Sequence, residues 1–254
     1  MRYEIEMHEP SEEFSRCWQT AGCYLDDRGQ GSLSWLKCDL IPPFLEHMSF
    51  RIGNQLIFIR IENSEGILPT PGNPYGVQMI ADGCNGIACN MPMQLVGGEW
   101  VSEFPDWGLL DFRSGVPIDP IALISNEKVL MTDWELHDFA VQIVRDHVIK
   151  KLGHQLLSSQ GNPKVDPSLW FAGDEGPEWV VVRAARGPGI KPKIPTNIQE
   201  IADSCAHMST KGHFAPVVIA SARGPDATND INCEQKLWRG HGMEVNFSEL
   251  HPLS

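Results

Sequence analysis

The sequence predicts a mixed α/β protein of the α+β kind, in which a β-rich N-terminal region is packed on a mixed sheet flanked by helices. Three observations lead there. Before residue 120, short apolar runs alternate with Gly, Pro and Asn turn signals. After it, two helix starts carry the pattern Thr-x-x-Glu/Gln, in Thr132-Asp-Trp-Glu135 and Thr196-Asn-Ile-Gln199. Four further apolar runs surround those helices, so residues 132–222 read in the order helix, strand, strand, strand, helix, strand.

Taken in order, the first element is a short helix over 11–20, capped by Ser11, with Glu12 and Glu13 at the positive end of its dipole. The runs 49–52 and 55–61 flank Gly53-Asn54 and predict a hairpin with a glycine-first turn. Turn signals at 69–74, Asp82-Gly83, Asn85-Gly86 and Gly97-Gly98 separate short strands expected over 76–81, 87–91 and 100–104. Ser114, Gly115, Pro117 and Pro120 gather where a boundary is expected, dividing the chain into 1–120 and 121–254.

The helix that follows Thr132 presents Leu136, Phe139, Ala140, Ile143, Val144, His147 and Val148 at helical spacing, which leaves His137 and Asp138 on its surface. Lys150 and Lys151 suit its negative end, and Gly153 stops it. The second helix presents Ile198, Ile201, Ala202, Cys205 and Met208 and is expected to stop at Gly212. Strands are expected over 154–159, 168–172, 179–185 and 217–220, the middle two joined by the turn Gly173-Asp-Glu-Gly176.

Composition excludes several classes of function. A chain of 254 residues with 42% hydrophobic content buries a substantial core. No apolar run approaches the roughly 18 to 20 residues of a membrane helix. The opening Met1-Arg-Tyr-Glu-Ile-Glu-Met-His8 alternates charged and apolar residues where a secretory signal needs an unbroken apolar stretch. Seven cysteines, an odd number without the spacing of a disulfide scaffold, fit a reducing compartment, and the expected location is cytoplasmic. Neither Cys17, Cys23 and Cys38 nor Cys84 and Cys89 form the paired spacing of a zinc site, and Cys84 as a nucleophile has no His partner that the sequence places.

A net charge of −13 disfavours nucleic acid as a partner. The charge is uneven, since residues 1–177 hold 12 Lys+Arg against 25 Asp+Glu, whereas 178–239 hold 8 against 6. The one basic stretch contains Arg183, Arg186, Lys191 and Lys193, which form either a solvated loop or a surface for a protein or a small anionic ligand.

The element order over 132–222, the single Asp166 before the second strand and Val181-Val182-Arg183 in the third together resemble the core of the PD-(D/E)XK nuclease superfamily. That resemblance implies a mixed sheet on which an Asp and a Glu-x-Lys strand hold a magnesium ion and cut a phosphodiester. Val181 and Arg183 stand here where the Glu and Lys would be. Both carboxylates are needed to bind so strongly hydrated a cation. Arg183 keeps its proton at ordinary pH, so it clamps an anion but takes no proton from water.

Two functions follow from the resemblance. The first is a non-catalytic binding module without a cofactor, in which Asp166 and Arg183 pair or Arg183 meets an anion. The alternative is a magnesium-dependent nuclease whose catalytic carboxylate has migrated to Glu135, with Asp166 also on the metal and Arg183 on phosphate. Glu178 is excluded from that site by strand parity, because Trp179, Val181 and Arg183 share one face and Glu178, Val180 and Val182 the other. Asp166 also has a plain reading as the residue that ties down the turn before Pro167.

Overall fold

The structure is a computed structural model that describes residues 10–38, 40, 47–66, 68–70, 74–222 and 235–253. It is mixed α and β, with two mixed six-stranded sheets. Two compact units divide between Val129 and Leu130, later than the boundary expected at 120. The reason lies in Asn54, whose Nδ2 donates to Ser125 Oγ and to Glu127 O, both at 2.9 Å. Those bonds hold the segment after Pro120 to the first unit.

In the first unit, helix α1 runs Glu12–Gly29, with Ser11 Oγ accepting from Phe14 N as its cap. It continues past the expected end because Ala21 and Leu25 extend the buried row begun by Phe14, Cys17 and Trp18. Strands β1 (Ser34–Lys37), β2 (Met48–Ile52), β3 (Gln55–Asn63), β4 (Ile87–Val96) and β5 (Glu99–Ser102) lie side by side in that order, and β6 (Leu110–Asp111) also pairs with β4. The hairpin expected around Gly53-Asn54 is present as β2 and β3. Phe50, Ile57, Ile59 and Met91 meet α1 in one apolar core.

The strand expected over 76–81 is instead helix α2, Pro74–Gly83. Its apolar residues favour a strand locally, but β3 and β4 are parallel, and parallel neighbours need a crossover. Val77 and Ala81, four apart, are the buried residues of α2, and Pro74 opens it where no N–H is needed. The turn cluster at 69–74 lies partly outside the described residues, and residues 1–9 wholly so.

The second unit opens with α3, Asp133–Asp146, which widens into a π-helical turn at His147–Lys151 before Gly153 turns the chain at φ 75°. Thr132 Oγ1 accepts from Glu135 N, as its capping pattern predicts. Strands β7 (Gln155–Ser159), β8 (Leu169–Gly173) and β9 (Gly176–Arg186) form an antiparallel meander, with Asp174 and Glu175 as the β8–β9 turn. Helix α4 (Ile198–Cys205) then returns the chain to β10 (Gly212–Ser221), which is parallel to β9. Thus β9 is the middle strand in the order β11-β10-β9-β8-β7, where β11 is Met243–Asn246, and β12 (His251–Leu253) also pairs with β10.

Two details of α4 differ from expectation. Its cap is Asn197, without a side-chain bond, so Thr196 does not start it. It also ends at Cys205, well before Gly212, which opens β10. Gly212 faces Trp179 across the parallel ladder, and a Cβ there would clash with the indole ring. Glycine is required by this close approach rather than by a helix end.

Residues of β11 pair with 218–221 of β10 and those of β12 with 212–214. Pro216, which has no N–H to give, lies in the gap between the two. Gly212→Ala should destabilise the second unit by about 1 to 3 kcal/mol through overpacking against Trp179. A urea titration checks it, and an unchanged midpoint would show that the indole has room to move.

Candidate functional site

Side chains alternate across β9, so its buried residues divide between two cores. Val180 and Val182 pack with Leu136, Ala140 and Val144 of α3, while Trp179 and Val181 pack with Ile201 and Cys205 of α4. Arg183 shares parity with the α4 set and Arg186 with the α3 set. Each arginine then meets a carboxylate from another element.

Arg183 grips Asp166 with two parallel bonds, Nη1 donating to Oδ1 at 2.9 Å and Nη2 to Oδ2 at 2.6 Å. Nη1 also donates to Val182 O at 2.8 Å. The side chains are 25% and 13% exposed, so the pair is largely withdrawn from water. The ion pair anticipated from the sequence therefore forms, with both carboxylate oxygens engaged.

A short loop presents Asp166. Gln160 Nε2 donates to Val165 O and to Pro167 O, and its Oε1 accepts from Asn162 N at 2.8 Å. Ser168, fully buried, receives Val182 N on its hydroxyl at 3.3 Å and donates its own N–H to Val180 O at 2.9 Å. These bonds bring Asp166 beside β9.

Position 181 is fully buried among Trp170, Trp179, Ile201, Cys205 and Phe214. A carboxylate there would enter an apolar core without water, which is costly for a charged group. Among the described residues, no three His, Cys, Asp or Glu side chains gather as a metal-holding set.

Glu135 does not turn toward Asp166. Its carboxylate receives Arg239 Nε at 3.0 and 2.9 Å and Arg239 Nη2 at 2.9 Å, with the two side chains 13% and 2% exposed. The pull comes from the segment 235–239, which lies against the start of α3 and bonds Met131 N to Leu237 O at 2.9 Å. Arg186, expected in an anion surface, is buried and donates to Asp133 Oδ1 at 2.6 Å and to Met131 O at 3.0 Å. Only Lys191 and Lys193 of the expected ligand-binding group are exposed, on the loop between β9 and α4. Glu178 lies on the opposite face from Arg183, as parity requires, and holds His213 Nε2 at 2.6 Å.

His137 and Asp138, expected on the surface, are 4% and 8% exposed. The buried face of α3 is turned toward them, because the 160–167 loop covers that side and Gly161 sits directly on the Asp138 carboxylate. Asp138 Oδ2 also accepts from Gln142 Nε2 at 2.8 Å. Val141, Val144 and Val148 stand four, seven and eleven residues after His137, a spacing that marks it as inward. Burial holds the imidazole neutral, with a pKa lowered to about 4; the Arg183 charge adds to the lowering, and Asp138 and Asp166 oppose it. Its Nε2 is buried without a hydrogen-bond partner.

Cys17, Cys84, Cys89 and Cys205 are buried as small core residues, whereas Cys23 and Cys38 are exposed. Burial pushes Cys17 and Cys89 up to about 12. Cys205 rises to about 11 through burial, with the Asp166 charge adding to it against a Ser204 hydrogen bond. A thiol so raised is a poor nucleophile.

DUF8840, a domain of unknown function, matches residues 134–253, from the second residue of α3 to the end of β12. No curated protein and no solved structure matches the chain. The match covers the unit that carries Asp166 and Arg183 and includes none of the first.

Two outcomes follow from this geometry. Arg183→Met strands a mostly buried Asp166 and should cost about 3 kcal/mol, read from denaturant midpoints. An unchanged midpoint would make Arg183 dispensable to the fold. For His137 the folded pKa of about 4 lies below the ordinary value of 6.5, so the unfolded chain takes the proton first. Stability is then full above 6.5 and falls through the window from 6.5 to 4. His137→Gln should flatten that part of the curve, and the same slope in both proteins would place the proton elsewhere.

Proposed function

We propose that residues 130–253 form a PD-(D/E)XK-like domain that acts as a non-catalytic intracellular binding module for a protein or an anionic ligand. The element order supports the likeness: α3, the β7-β8-β9 meander, then α4 crossing to a β10 parallel to β9. Asp166 stands before β8 and Arg183 within β9, at the positions that the likeness gives to the metal-binding Asp and the Lys.

One observation carries the reading. Both oxygens of Asp166 are taken by Arg183, so the carboxylate a cation would need already has its counter-charge. Val181, in the place of the second carboxylate, is apolar and sealed beneath α4. A metal-dependent nuclease built on Asp166 and Glu135 would have to open two ion pairs, Asp166–Arg183 and Glu135–Arg239, before either could ligate.

Titration of the protein with magnesium and then manganese by calorimetry tests this. The expected trace shows no saturable binding by the wild type or by Asp166→Ala, and neither nicks supercoiled DNA or cleaves RNA. Saturable binding that disappears in Asp166→Ala, together with metal-dependent cleavage, would overturn the reading and favour the nuclease.

A further inference from the structure

A guanidinium fork that holds one carboxylate by two parallel bonds is equally suited to a phosphate. Among the described residues four arginines of this unit are paired, and they differ in access. Arg239 is 2% exposed, Arg186 8% and Arg145 16%, whereas Arg183 is 25% exposed. A solute therefore reaches Arg183 most readily.

The carboxylate that holds Arg183 belongs to a loop tied largely to itself, through Gln160, Asn162, Val165 and Pro167. Lys164 stands two residues before Asp166, and Lys191 and Lys193 follow the end of β9. All three are exposed, and among the described residues none is in an ion pair.

We infer that Arg183 is the anchor of a phosphate-binding site that Asp166 holds shut as an internal substitute for the ligand. The inference rests on the binding-module reading and specifies the ligand class and the control of that site. A phosphate dianion offers more charge than the Asp166 carboxylate, and it has oxygens beyond the two that the guanidinium fork takes. Residues 130–254 hold 12 Lys+Arg against 15 Asp+Glu, a balance that repels a long polyanion and suits a small molecule with one phosphate group.

A ligand that must displace Asp166 binds with an affinity reduced by the fraction of molecules whose pair is open. Removing the competing carboxylate should tighten binding about tenfold or more. Inorganic phosphate is the probe, added at constant ionic strength against a chloride control, with melting temperature as the readout. Wild type, Asp166→Asn, Arg183→Met and the double variant are compared.

The expected result is a phosphate-dependent rise in Tm that half-saturates at far lower phosphate in Asp166→Asn than in the wild type and is absent from both Arg183→Met proteins. An Asp166→Asn response no stronger than the wild type's would overturn the inference, as would a response that survives Arg183→Met. Should Asp166→Asn fail to fold, Asp166→Ser replaces it. Should both fail, the Arg183 side-chain N–H resonance of the wild type decides, and its indifference to phosphate sinks the idea. Metal-dependent cleavage by the wild type would refute the binding-module reading and leave these phosphate results standing. A missing phosphate response without cleavage would refute this inference alone.

Discussion

Strand β9 is covered on both faces, by α3 over Val180 and Val182 and by α4 over Trp179 and Val181, and this two-sided burial fixes where every polar group near it must go. Each of those four side chains is almost wholly removed from water. At about 1.5 to 3 kcal/mol for a fully buried large apolar side chain, their burial outweighs what any one ion pair nearby contributes. A register slip by one residue would exchange the two cores and send both arginines to the wrong partners. The hairpin turn at Asp174-Glu175 and the parallel ladder to β10 pin the register from either side.

The charges are arranged to suit that packing. Arg183, Arg186 and Arg239 each close on a carboxylate from a distant part of the sequence, respectively Asp166, Asp133 and Glu135. Asp133 and Glu135 lie in the first turn of α3, where a negative charge already suits the helix dipole, so each serves its own helix and a neighbouring element. Asp133 is 90% exposed, whereas the Asp166–Arg183 and Glu135–Arg239 pairs are largely withdrawn from solvent; these two add little net stability relative to apolar packing, but breaking one leaves a charge with nowhere to go. They act as conditions on assembly: β9 and the 235–239 segment must both reach α3 before its first turn is neutralised.

What the sequence discloses follows from how local each feature is. Thr132 and the β8–β9 turn are read correctly because a cap and a two-residue turn are set by adjacent residues. The stretch 76–81 is misread, since its helix answers the parallel pairing of β3 and β4, which no window of ten residues contains. Gly212 resembles a helix stop and is in fact space for Trp179, a contact across 33 positions. In the candidate site, parity along β9 set Glu178 apart from Arg183, while the pairing of Asp166 with Arg183 was one of the outcomes the family resemblance offered. Glu135 and Arg186 went elsewhere because their partners, Arg239 and Asp133, lie 104 and 53 positions away. The burial of His137 was legible in its spacing to Val141, Val144 and Val148, and only the loop over Asp138 was not.

Pro216 has an effect beyond its own strand. The outer edge of β10 is occupied by two short strands, with an interruption at a residue that lacks an N–H. An incoming chain that displaced either strand could extend only a few residues before the ladder failed. A single continuous strand added along this edge of β10 is thus interrupted at position 216.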